Sequence, residues 1–231
     1  MKAFANFRST FKPAAFDFSL AENEGVLDPE TSTNYEAGVK ARAFDGAADF
    51  EASLFSMDMQ NIVTPTVVNN LPALTNGGAT HLSGVELAAD LRLAHSNFVR
   101  ASYSAHDATF GDYLYSFDGV SNTQLDGKRF EMSAKSLWSL GFSHAPERGF
   151  IASVNANHVG DRYLNKRNTA LAPAYETIDA SIGFRTARAE YRLDGRNLGD
   201  RRDAVAESEF GDAQYYRMTP RTIRAGVALH Y

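Results

Sequence analysis

The chain has 231 residues, no Cys and a formal net charge of -5. Without Cys there is no disulfide framework, thiolate nucleophile or Cys-ligated zinc, and the negative charge argues against a nucleic-acid binder. Mean hydropathy is -0.33 and no apolar run reaches the roughly 18 residues of a membrane helix, yet a transmembrane barrel also keeps a low average, because lipid-facing and lumen-facing residues alternate.

The first stretch, "MKAFANFRSTFKPAAF", has no apolar core of signal-peptide length and no cleavage pattern. Taken alone it reads as cytoplasmic, and residues 2–10 make a weak candidate strand. Alternation then takes over. "NYEAGVKARAF" (34–44) sets Tyr35, Ala37, Val39, Ala41 and Ala43 against Glu36, Lys40 and Arg42. This is the period 2 of a strand with two unlike faces. In "ADFEASLFSMDMQ" the apolar phase slips from Phe50, Ala52 and Leu54 to Phe55, Met57 and Met59. A bulge would cause such a slip, since it adds one residue and flips the faces; a misread pattern is the other explanation.

"GVELAADLRLA" (84–94) sets Val85, Leu87, Ala89, Leu91 and Leu93 against Glu86, Asp90 and Arg92. "NFVRASYSA", "SLWSLGFSH" and "GFIASVNAN" alternate more weakly. "ETIDASIGF" (176–184) and "RAEYRLDGRN" (188–197) alternate strongly, as does the final "TIRAGVALHY" (222–231). Gly84 and Gly183 fall inside strands, where glycine permits a bend or a bulge. The candidate strands are 2–10, 33–44, 48–60, 82–94, 97–108, 134–145, 149–160, 175–186, 188–198 and 221–231.

The connections sort themselves. Residues 44–47, 95–97, 145–149 and 186–188 are tight turns. Residues 11–32, 61–81, 109–133, 161–174 and 199–220 are long loops, and the two kinds alternate along the chain. Outer-membrane barrels have this asymmetry, with short periplasmic turns and long outer loops. Soluble sandwiches and barrels share the period 2. However, the apolar faces here are rich in Ala with scattered aromatics. They would pack poorly as a sandwich core, whereas a lipid-facing surface has no partner side chains to fit. The expected fold is therefore all-β: an antiparallel up-and-down transmembrane β-barrel portion of about ten strands.

Five stretches carry a family resemblance. They are "LDPETSTNYEAGVK" (27–40), "LSGVELAAD" (82–90), "VGDRYLNKRNTALAPAYETIDASIGF" (159–184), "RLDGRNLGDRRD" (192–203) and the terminal aromatic. In this order and spacing the chain resembles the C-terminal half of TonB-dependent outer-membrane receptors of the siderophore type. The resemblance implies an outer-membrane location and uptake of a ferric siderophore or a related large nutrient. It also implies that the barrel-assembly machinery reads Tyr231. Members of that family have a plug domain inside a barrel of about 22 strands. Residues 1–231 are expected to be the C-terminal portion alone: a truncated gene, a misassigned start codon or a fragment. The plug and the first barrel half would lie outside it, as would the segment that engages the TonB complex. Alone, such a chain is not expected to transport. The alternatives are a non-transporting or small closed outer-membrane barrel, and a soluble carbohydrate-binding β-protein.

The six His show no His-x-x-x-His or His-Glu-x-x-His spacing, and there is no Gly-x-Ser-x-Gly elbow or phosphate loop. No enzyme, cofactor or metal site is expected. Function is better sought in the long loops. "GDYLYSF" brings Tyr113, Tyr115 and Phe117; "DRYLNKRN" brings Arg162, Tyr163, Lys166 and Arg167; "GDAQYYRMTPR" brings Gln214, Tyr215, Tyr216, Arg217 and Arg221. Arg gives bidentate bonds and Tyr stacks with a polar tip, which suits an anionic, partly aromatic ligand. An aromatic girdle at the membrane interface is the competing role for these tyrosines, Tyr163 and Tyr216 above all.

Overall fold

The computed structural model describes residues 1–14, 25–68, 71–117, 121–207 and 215–229. Its strands are β1 (Lys2–Lys12), β2 (Glu30–Ala43), β3 (Ala48–Gln60), β4 (Val63–Val68), β5 (Leu71–Asn76), β6 (Gly78–Leu93), β7 (Asn97–Ser116), β8 (Asn122–Gln124), β9 (Ser136–His144), β10 (Gly149–Val159), β11 (Arg162–Tyr163), β12 (Leu171–Ala172), β13 (Tyr175–Arg185), β14 (Ala189–Arg196), β15 (Ala204–Glu207), β16 (Tyr215–Arg217) and β17 (Thr222–Leu229). Ten of them form one antiparallel wall in the order β1-β2-β3-β6-β7-β9-β10-β13-β14-β17, and β8 pairs with the outer part of β7. Strands adjacent along this path are joined alternately by a tight turn and a long loop. Strands β1 and β17 stand at its two ends.

Register fixes what each face carries. Val85, Leu87, Ala89 and Leu91 of β6 stand opposite Ala105, Tyr103, Ala101 and Val99 of β7. Ile182 and Phe184 of β13 stand opposite Leu193 and Tyr191 of β14. On this face Leu54 is 63% exposed, Leu140 52% and Ile223 64%. Such a surface suits lipid and not water. Its outer end is marked by polar pairs. His81 is paired with Asp58, and His158 stacks on Trp138 and meets Glu176 at 3.4 Å.

The opposite face is charged and pairs with itself. Lys40 meets Glu51 at 2.8 Å, Arg42 meets Asp49 at 2.7 Å, and Arg185 meets Glu190 at 2.7 Å. Such solvent-screened bridges add little to stability. Their larger consequence is to commit this face to water or to a polar neighbour.

Several expectations need correction. Strand β3 pairs with β2 and β6 in unbroken register, so the phase slip is not a bulge. Phe55, Met57 and Met59 lie on the charged face, opposite Glu36, Asn34 and Ser32. They face inward because the phase there never marked lipid. Gly84 makes no bulge either. It gives room to the Phe55 ring, since a Cβ there would lie 2.8 Å from Phe55 Cζ and 2.6 Å from the Ala105 carbonyl oxygen. The register shift lies instead between Gly78 and Thr80. Gly78 has φ +130, and a Cβ there would come within 1.9 Å of the Asp112 carbonyl oxygen.

Strand β7 runs to Ser116, well beyond the expected residue 108, because its outer half pairs with β6 and β8 beyond the apolar band. The long loops hold short ribbons: β4 with β5, β11 with β12, and β15 with β16. Tyr231 and Gln214 lie outside the described residues.

Candidate functional site

Two of the long loops build a compact mass at the outer end of the wall. The first core forms where β7 outlasts the sheet. Phe110, Tyr113 and the fully buried Leu125 pack together, with Ile62, Tyr115, Phe117 and Phe130 against them. The Phe110 ring lies 4.7 Å from that of Tyr113 and 4.5 Å from that of Phe130. Burial of such side chains contributes about 1.5–3 kcal/mol each. Gln124 ties the open end of the β7–β8 hairpin. Its Oε1 accepts from the Tyr113 and Asp126 amides at 3.1 Å, and its Nε2 donates to Asp112 at 2.9 Å.

The 161–174 loop leans on this core through cations over rings. Lys166 Nζ lies 5.5 Å from the Tyr115 centroid, the Arg167 guanidinium 3.7 Å from that of Phe117, and the Arg129 guanidinium 5.4 Å from that of Tyr163. Lys166 also pairs with Glu131. Burial lowers the ammonium's pKa, but the bond and charge of Glu131 outweigh it, and the net is a pKa above the ordinary lysine value. The site therefore keeps this positive charge at every physiological pH.

Tyr115, Tyr163 and Arg167 are thus brought together, and Arg167 is exposed. Tyr113 belongs to the apolar core at 3% exposure. Arg162 is 2% exposed, stacks 5.0 Å from the Tyr175 centroid, and donates to the Ala204 carbonyl. It links the 161–174 loop to the next one. Tyr215, Tyr216 and Arg217 sit on the separate β15–β16 ribbon, where Arg217 donates to the Arg202 carbonyl at 3.4 Å. At the base of that ribbon, the Arg221 amide donates to Asp200 at 2.8 Å. This bond first, and the nearby Arg202 and Arg221 charges with it, hold the carboxyl below the usual carboxylate range.

Lys128, Arg129, Glu131, Asp161 and Asn168 had no sequence signal as site residues. Their bonds join positions far apart in the chain. Asn168 alone carried a hint, since Asn tolerates the left-handed backbone it adopts at φ +57.

The family model "TonB dependent receptor-like, beta-barrel" matches residues 1–198. The "Ferrioxamine B receptor" of Salmonella typhimurium is 26% identical over 213 residues, which is 88% of this chain and 28% of that protein. The "Ferrioxamine receptor" of Yersinia enterocolitica is 23% identical over 68% of this chain and 21% of its own length. The ferric yersiniabactin uptake receptor FyuA from Yersinia pestis superposes with a TM-score of 0.79 at 18% identity, covering 97% of this chain and 34% of that one. The siderophore receptor PiuA from Acinetobacter baumannii gives 0.80 at 18% identity, covering 97% and 33%. This chain spans about a third or less of the length of these proteins. It belongs to the TonB-dependent receptor β-barrel family of outer-membrane proteins.

Proposed function

We propose that this chain is the C-terminal part of the barrel of a receptor that takes up a ferric siderophore or a related large nutrient. The observation that carries this is the outer loop mass, where Lys166 lies over Tyr115, Arg129 over Tyr163, and the exposed Arg167 over Phe117. Phenol rings and guanidinium groups give stacking and charge-assisted bonds to a chelate with aromatic or carboxylate parts. The ferrioxamine receptors among the relatives support the same ligand class. Its role is binding and passage, with no chemical step. The TonB complex would be engaged through a segment outside this chain, and Tyr231 would serve barrel assembly.

The test is iron uptake in cells whose only siderophore receptor contains this chain. A panel of ferric hydroxamates, catecholates and carboxylates is offered. Uptake of at least one is expected, and Tyr163→Ala with Arg167→Ala should lower it about tenfold or more, the scale of one to two lost contacts. Receptor-independent iron entry for every chelate would reject the proposal.

A further inference from the structure

We propose that Asn168 and Arg129 clasp the 109–133 and 161–174 loops into one rigid recognition body, and so act as positioning residues for the ligand surface. The purpose of the clasp rests on the function proposed above; its geometry does not.

The clasp has two halves. In the first, the Asn168 amide does for Arg129 what a neighbouring strand would do. The Arg129 backbone N–H donates to Asn168 Oδ1 at 2.8 Å, and Asn168 Nδ2 donates to the Arg129 carbonyl at 2.8 Å. One side chain thereby satisfies both backbone polar groups of a part-buried residue in the other loop. Leaving those groups unpaired is costly, so the two loops hold each other in place. Asn suits the position twice, since its left-handed backbone is also within its tolerance.

In the second half, the Arg129 side chain reaches the base of the same loop. Nη1 donates to Asp161 Oδ2 at 2.9 Å, and Nη2 donates to the Asp161 carbonyl at 2.8 Å and the Ser133 carbonyl at 3.3 Å. Arg129 therefore grips the second loop at both its start and its middle. Around it, the Met132 amide donates to the Tyr163 carbonyl at 2.7 Å, and Lys128 Nζ donates to the Arg167 carbonyl at 3.1 Å.

The consequence concerns Tyr163, Lys166 and Arg167. Each lies over or under a group of the first loop, so their spacing is set by the clasp and not by their own short strand. Residues 162–163 pair with 171–172 through only two positions. A contact made by a ligand with one loop is then borne by both. The β15–β16 ribbon is tied in differently, through the Arg162 bond to Ala204.

The chain has no Cys, so once any Cys elsewhere in the receptor is replaced, a label pair introduced here is the only one. Asp126 and Thr169 are exposed, one on each loop. Paired nitroxides at Asp126→Cys and Thr169→Cys, in the full receptor in detergent and without ligand, should give one narrow distance. Asn168→Ala should broaden it. Asn168→Asp keeps the acceptor for the Arg129 N–H but sets a carboxylate oxygen against the Arg129 carbonyl where Nδ2 donated, and should broaden the distance as well. Hydrogen exchange supplies the second readout. Asn168→Ala should speed exchange in both loops together, by about tenfold, the scale of one or two lost net bonds, while β9 and β10 stay protected. A distance already broad in the parent receptor would overturn the clasp. So would faster exchange confined to 161–174. Both measurements work without a chelate, so a failed uptake panel beside a narrow, Asn168-dependent distance rejects the ligand and keeps the clasp.

Discussion

Replacing Leu140 with Arg tests the sidedness of the whole wall. Leu140 is the central residue of β9, which has nine residues. At about 3.4 Å per residue and a tilt of about 40°, that strand climbs roughly 23 Å along the membrane normal. This matches an apolar band of about 25 Å, so Leu140 lies at mid-membrane. Its cross-strand neighbours are Ala101 and Ala156. They are too small to cover it, and the side chain stands 52% exposed. Arg at such a depth costs about 2–4 kcal/mol, or roughly 30- to 900-fold in the folding equilibrium. Ser139 is one residue away and points to the charged face, where it bonds Asn155 at 3.2 Å. Ser139→Arg should cost well under 1 kcal/mol, as a substitution on a polar surface does. The assay is urea-dependent folding of the full receptor into lipid vesicles, followed by heat-modifiable gel mobility. Equal destabilisation by the two variants would falsify the assignment of lipid and lumen faces.

Four further outcomes follow from named contacts. Gly78→Ala should destabilise the β6–β7 junction by roughly 2–3 kcal/mol, because the added Cβ meets the Asp112 carbonyl and the φ is unsuited to Ala; urea unfolding with a change under 0.5 kcal/mol would contradict this. His95 and Ser96 both hold φ +61 in the short turn between the paired Leu93 and Asn97, so His95→Asn with Ser96→Gly should stabilise by about 1 kcal/mol, seen as a higher urea midpoint. Asp200 has a lowered pKa. Its support of the Arg221 turn is complete above the unfolded carboxylate value of about 3.9 and is lost as pH falls through the lower folded value. The Arg221 amide shift, followed by NMR, should therefore move only in strong acid, and a midpoint near neutrality would refute the bond. Deleting Tyr231 from the full receptor should lower the amount inserted in the outer membrane, and unchanged insertion would remove its role in assembly.

Much of the wall was legible residue by residue. Tyr35, Val39 and Ala41 against Glu36, Lys40 and Arg42 show a strand and its two faces, because a β-strand turns successive side chains through half a revolution. Loop sorting was legible for the same local reason, since tight turns and long connections differ in length alone. Where both faces carry apolar residues the rule loses its grip, as at Phe55, Met57 and Met59. Glycine was ambiguous too: Gly84 yields space to a ring on the next strand, which no local pattern records.

The sequence by itself determined the ten strands of the wall, most of their faces, the end of the wall that carries the loops, and the residue types available for recognition. Tertiary structure decided which of those residues present themselves. It sank Tyr113 into an apolar core, buried Arg162 between Tyr175 and the next loop, and left Arg167 exposed on Phe117. It also made Asn168 the partner of Arg129, 39 residues away. Periodicity is a property of the chain's own geometry and repeats every two residues. A contact between loops depends on where the barrel sets their ends, and no short stretch of sequence encodes that.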